Sequence, residues 1–96
     1  MPSAEAVSLT RDADALRFGG ELLTPRIRDT WTRALPMLAG VRRFDVAGVT
    51  HVDSAGIALL AELAQRAGGV AIDGDPAGLS ALRAAYRLTP ALGYAA

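Results

Sequence analysis

The 96-residue chain predicts a small α/β fold: one sheet of about four strands, in the order β-β-α-β-α-β-α, with helices packed against it. Three observations carry that prediction. Short runs of alternating apolar and polar residues are interleaved with runs at helical spacing. Two of the helical runs open on a polar residue followed by proline, Thr24-Pro25 and Asp75-Pro76. Glycine pairs, Gly19-Gly20 and Gly68-Gly69, punctuate the runs. The length fits a single domain over 1–96, with a core over about 7–87 and a short tail at 88–96. A chain of this size buries roughly 60–65% of the surface it exposes when unfolded, enough for one modest core.

The elements follow in order. Residues 6–10 alternate, with Val7 and Leu9 on one face and Ser8 and Thr10 on the other. A polar turn at 11–14 leads to a second alternating run, 15–18, with Leu16 and Phe18, and the two read as a hairpin ended by Gly19-Gly20. Thr24 as N-cap and Pro25 at the first helical position start a helix. Ile27, Trp31, Leu35 and Leu38 recur along it at core spacing, Pro36 ends or bends it, and Gly40 stops it. Residues 41–46 read as a strand that buries Phe44 and Val46, and 47–52 as a connection or the strand's continuation. A second helix runs from 54 or 55 to about 67. It carries one stripe of Ile57, Leu60, Ala61 and Ala64 and a second of Leu59 and Leu63. A helix apolar on more than one face either sits deep or covers a partner. Residues 70–72 form a short strand. Asp75-Pro76 opens a third helix to about Tyr86, with Leu79, Leu82, Ala85 and Tyr86 inward.

Composition excludes several kinds of function. Hydrophobic residues make up 51% of the chain, and there is no cysteine, so disulfides and cysteine-based catalysis or metal sites are out. His51 is the single histidine and cannot make a metal cluster alone. Net charge is zero, from ten arginines and ten acidic residues, so no basic field for nucleic acid is expected. Residues 1–6 do not resemble a signal peptide, and the longest uncharged apolar run falls far short of the ~20 residues that span a bilayer. A cytoplasmic protein without direct membrane insertion, cofactor or metal is expected.

The stretch "HVDSAGIALLAEL", 51–63, sets Asp53, Ser54 and Gly56 in front of the most apolar helix. It lies between a strand's carboxyl end and a helix's amino end, where ligands and partners of open α/β sheets sit. Ser54 has four readings. As an N-cap it accepts the amide of Gly56 or Ile57, worth roughly 0.5–2 kcal/mol, with Asp53 favouring the helix dipole and Gly56 permitting close packing. As a nucleophile it lacks the G-x-S-x-G elbow, because Val52 stands two residues before it, and His51 is too near in sequence to act as a separate base. As a phosphorylation site it would hold a phosphate against free helix amides and bring about −1.5 to −2 charge. As the edge of a docking surface it sits beside Leu59 and Leu63, an apolar flank that calls for a cover. His51 reads as a loop residue with local hydrogen bonds. Trp31 reads as packing, Arg42-Arg43 as a solvated strand edge, and Arg83 with Arg87 as a solvent face.

"FDVAGVTHVDSAGIALL" resembles the signature of STAS domains: a hydrophobic strand ending in Asp, a short turn, then D-S/T-x-G opening a helix. Asp45 matches the acid, and Asp53, Ser54 and Gly56 match the motif. Element order agrees from about Val7 to Tyr86. The resemblance implies the STAS fold and a non-catalytic binding role. One branch of the family, the anti-sigma factor antagonists, is phosphorylated on the motif serine by a partner kinase. The other is the small STAS subunit of Mla-type ABC transporters, which binds the ATPase of a complex that contains a permease and moves phospholipid between membranes. "GGELLTP" and "VDSAGIALL" are more similar to the transporter branch, although that branch carries Thr where this chain has Ser54. The resemblance therefore implies an ABC ATPase as partner, with an anti-sigma kinase acting on Ser54 as the alternative. The contact is expected at His51, Asp53, Ser54, Ala55 and Gly56, flanked by Leu59 and Leu63. Asp45 is expected to hold the Ser54 loop by accepting backbone amides.

Overall fold

Alternation near the start of the chain does build a hairpin. The structure is a computed structural model and describes residues 7–85, so Tyr86, Arg87 and the tail at 88–96 lie outside the described residues. Strands β1 (Ser8–Asp12) and β2 (Ala15–Leu22) pair antiparallel, with Leu9 opposite Phe18 and Asp12 opposite Ala15. β2 does not stop at Gly19-Gly20. It continues through both because a neighbouring strand fixes its backbone there, with register shifts between Arg17 and Gly19 and between Gly20 and Glu21. A glycine pair ends a strand only where nothing else holds the chain extended.

Helix α1 (Thr24–Ala34) carries Pro25 in its first turn, as expected, and a short 3-10 turn at Leu35–Met37 follows at Pro36. Its inner face differs from the predicted stripe. Thr30 and Ala34 are the fully buried members, whereas Ile27, Trp31 and Leu35 are only half-buried. Small residues let α1 lie close to the sheet, and the large ones turn to its flank. Thr30 is tolerated inside because its hydroxyl donates to the Arg26 carbonyl at 2.8 Å. Arg11 of β1 ties down the far end of this segment by donating to the carbonyls of Met37 (2.9 Å) and Ala39 (2.8 Å).

Strand β3 (Arg43–Val52) begins later than predicted and takes in the whole of the 47–52 segment. Phe44, Val46, Val49 and Val52 are buried along it. The sheet order is β1-β2-β3-β4, with β3 parallel to both β2 and β4 (Ala71–Asp73). Phe18 and Phe44 meet edge to face across β2 and β3, centroids 5.3 Å apart. Helix α2 (Ser54–Arg66) packs on β2 and β3 with α1 on one side and α3 (Leu79–Ala85) on the other. That central position explains its two apolar stripes. Ile57, Leu59, Leu60, Leu63 and Ala64 are all buried, so both of these stripes sit deep. The Gly69 amide closes the helix on the Ala64 carbonyl at 2.9 Å, both glycines of the Gly68-Gly69 pair being left-handed.

Helix α3 starts at Leu79, not at Pro76. Pro76 is buried and Ala77 bridges to His51, so the chain first runs on beside β3, and the Val52 amide donates to the Ala77 carbonyl at 3.2 Å. Leu79 points inward as predicted, but Ala85 is exposed. Because α1 and α2 connect parallel neighbours in one direction across the sheet, both lie on one face of it. The other face is polar: Arg17 lies 3.0 Å from Asp12 and 3.6 Å from Asp45, and Arg43 pairs with Asp73.

Candidate functional site

The carboxyl ends of β2 and β3 and the amino ends of α1 and α2 converge at one end of the sheet, and Asp53 sits between them. Its backbone is extended, its amide donates to the Leu22 carbonyl at 3.3 Å, and its carbonyl accepts from Ile57 at 3.0 Å. Its carboxylate is shared between two helices. Oδ1 accepts the Gly56 amide at 2.9 Å and so caps α2. Oδ2 accepts both the amide and the hydroxyl of Thr24, at 2.8 and 2.9 Å, and so caps α1. Burial by itself raises the Asp53 carboxyl. The amides of Thr24 and Gly56, the Thr24 hydroxyl and the Ala55 amide outweigh that and hold it below the usual carboxylate range.

This corrects two sequence expectations. Ser54 is not the cap. It is the first residue of α2, exposed, and its hydroxyl makes no hydrogen bond to a described residue. Thr24 is not a side-chain cap for its own helix either, since α1 has no side-chain cap bond at its N-cap residue, Leu23. A hydroxyl can serve one helix end, whereas a carboxylate has two oxygens and serves both.

Gly56 is fixed by contact. A Cβ there would stand 2.1 Å from the Leu22 carbonyl oxygen, so only glycine lets α2 approach the end of β2 this closely. Ala55 is half-buried beside it. His51 is not in a loop. It lies in β3, exposed, next to Glu21 of β2, with its Nδ1 3.6 Å from the Glu21 carboxylate. Since Val52 points into the core, His51 belongs to the sheet's polar face.

The apolar flank expected beside Ser54 is largely absent from the surface. Leu63 is fully buried and Leu59 is 3% exposed, because α1 and α3 pack on either side of α2. Asp45 is corrected too. It lies within β3 rather than at its end, accepts the Ala47 amide at 3.0 Å and faces Arg17. At about 3.3 Å per strand residue, it stands about 25 Å along the chain from the motif. It does not hold the Ser54 loop; Asp53 does.

One feature of the site escaped the sequence. Between α1 and α2, next to Ser54, runs a groove of about 470 Å³. Ile27 and Trp31 form one wall and Ala55, Ala58 and the edge of Leu59 the other, with Arg28 and Glu62 on opposite rims. The Arg66 guanidinium stacks over the Trp31 ring, 5.1 Å from its centroid. The signal was present in the half-apolar spacing of Ile27 and Trp31, but spacing alone cannot tell a core stripe from a groove wall.

Among the described residues no helix is long and apolar enough to cross a membrane. No curated protein matches the chain. The chain does match the protein family described as "Mlab, STAS domain", over residues 5–92. That span takes in the four described strands, the three described α-helices and the doubly capped D-S-x-G turn. By this match and by the architecture that agrees with it, the chain belongs to the STAS domain family.

Proposed function

We propose that this chain is the non-catalytic STAS subunit of a Mla-type ABC transporter, docking on its ATPase. In this role it supports ATPase assembly and activity in a complex that moves phospholipid between membranes and maintains outer-membrane lipid asymmetry. It stands on the cytoplasmic side of the inner membrane, held there through the complex with the permease. The observation that carries the reading is the family description, "Mlab, STAS domain", over nearly the whole chain. The geometry fits a docking role. Ser54 stands exposed on a platform that Asp53 and Gly56 hold from beneath. Ala55 and the edge of Leu59 adjoin it, and His51 lies around the end of the sheet. Leu63 acts from the core, as support. Binding that favours the ATPase's productive state shifts the population toward that state without chemistry by this subunit.

Co-expression with the ABC ATPase from the same genome tests the reading. Wild type co-elutes with the ATPase and raises its ATP hydrolysis, whereas Ser54→Arg keeps its melting temperature and loses the complex. A well-folded ATPase that ignores the wild-type chain refutes it.

One observation favours a second reading, an anti-sigma factor antagonist. The Ser54 hydroxyl is exposed at a helix amino end and makes no hydrogen bond to a described residue, which suits a kinase substrate. Mass spectrometry of the native protein decides: stoichiometric phosphate on Ser54 selects the antagonist, and its absence leaves the transporter subunit.

A further inference from the structure

The groove between α1 and α2 has two properties that together specify an occupant. Its walls are apolar, with Ile27 and Trp31 contributed by α1 and Ala55, Ala58 and Leu59 by α2. Its rims are charged and oppositely so: Arg28 stands on α1 and Glu62 on α2. Both are exposed, and neither makes an ion pair or side-chain hydrogen bond to a described residue. Several other arginines have partners: Arg11 on backbone carbonyls, Arg17 on Asp12, Arg33 on Asp29, Arg43 on Asp73 and Arg66 over the Trp31 ring. Arg28 and Glu62 line one groove yet do not bridge it.

The groove also selects the occupant's backbone. Its walls are two helices, whose mid-helix amides and carbonyls are spent on their own turns. An extended peptide laid there would find no backbone partners and would leave its own groups unsatisfied. A helix brings its hydrogen bonds with it and packs by ridges into the channel between two others. We infer that the α1–α2 groove seats a short amphipathic helix of the partner ATPase, with an apolar anchor between Trp31 and Ala58, an acidic residue against Arg28 and a basic residue against Glu62. The assignment rests on the docking reading above. It extends the contact from Ser54 along α2 by way of Ala55. The opposed rim charges fix the direction in which the helix lies, because the reversed helix would meet like charges on both sides.

Trp31 is the only tryptophan, so 5-fluorotryptophan labelling of this chain gives one fluorine resonance inside the groove. Unlabelled ATPase from the same genome is titrated in, and Kd is measured for wild type, Arg28→Glu, Glu62→Arg and the double reversal. The resonance shifts on binding. Each single reversal weakens Kd by about ten-fold, in line with the loss of a close interfacial charge pair, and the double reversal weakens it further. The double variant keeps the net charge, so a long-range field effect would leave its Kd at the wild-type value. All four proteins keep the wild-type melting temperature, because both side chains are exposed. Ala58→Arg, which blocks the groove, also lowers affinity.

If the complex forms with the Trp31 resonance unmoved, or if the double reversal binds like wild type, the groove assignment is overturned and the docking reading survives on Ser54. If the resonance moves with this chain's own concentration and no ATPase, the groove belongs to a second copy, and the assignment is again overturned. If wild type forms no complex at all, the docking reading fails and takes the groove's occupant with it.

Discussion

Asp53 holds Thr24 and Gly56 on one carboxylate, and residues 29 and 3 positions away meet there. Asp53→Ala removes a helix cap and leaves the Thr24 amide without its charged acceptor. The expected loss is about 2–3 kcal/mol, read from urea denaturation. Asp53→Asn keeps one accepting oxygen but turns an NH₂ toward a second donor, so it falls between wild type and alanine. Gly56→Ala is more severe. With a Cβ 2.1 Å from a backbone oxygen, either α2 lifts or β2 moves, and the expected cost is at least about 3 kcal/mol in a thermal melt. The sequence made Asp53, Ser54 and Gly56 stand out, and all three sit at the convergence of the helix ends. It could not divide the work among them. Nothing local to 53–56 announces Thr24, and without Thr24 a serine before a helix looks like the better cap.

At the scale of elements, the sequence pattern located the four described strands and three described α-helices, and the errors fell where a neighbour overrode a local signal. β2 runs through Gly19-Gly20 because β3 lies beside it. Asp75-Pro76 looks like a helix start, yet Ala77 is held next to His51 and α3 waits until Leu79. Leu59 and Leu63 look like a surface stripe until α1 and α3 are placed on either side. Each missing fact is a tertiary contact. The β1–β2 turn shows the reverse case, a local residue at odds with its element. Ala13 adopts φ 55°, in the left-handed region that a side chain disfavours. Ala13→Gly is expected to raise stability by about 0.5–1 kcal/mol, measured as a higher urea midpoint with unchanged slope.

The described residues make a two-layer protein, with helices on one sheet face and a charged array on the other. The lowered Asp53 carboxyl contributes to the protein's acid sensitivity. A carboxyl whose folded-state pKa is lowered contributes stability in full above its unfolded value, about 3.9. That contribution is lost as pH falls through this value toward the folded one. The wild-type urea midpoint therefore drops between pH 5 and pH 3 more steeply than that of Asp53→Asn, which has no proton to take up there. The overall architecture was the most legible level of all, because a strand-helix alternation in a short chain leaves few ways to bury both. The open face was less so: Arg17, Asp45, Arg43 and Asp73 are scattered in sequence and become a charged array only through the register of β2, β3 and β4.

The double cap also has a kinetic meaning. The amides of Thr24 and Gly56 are sheltered by the same carboxylate. Solvent reaches either one through a single departure of Asp53, so the first turns of α1 and α2 fray as one event. Their amide hydrogens then share an opening free energy, and protection lost at one helix is lost at the other. Two segments far apart in the chain behave, at this end of the molecule, as one cooperative unit.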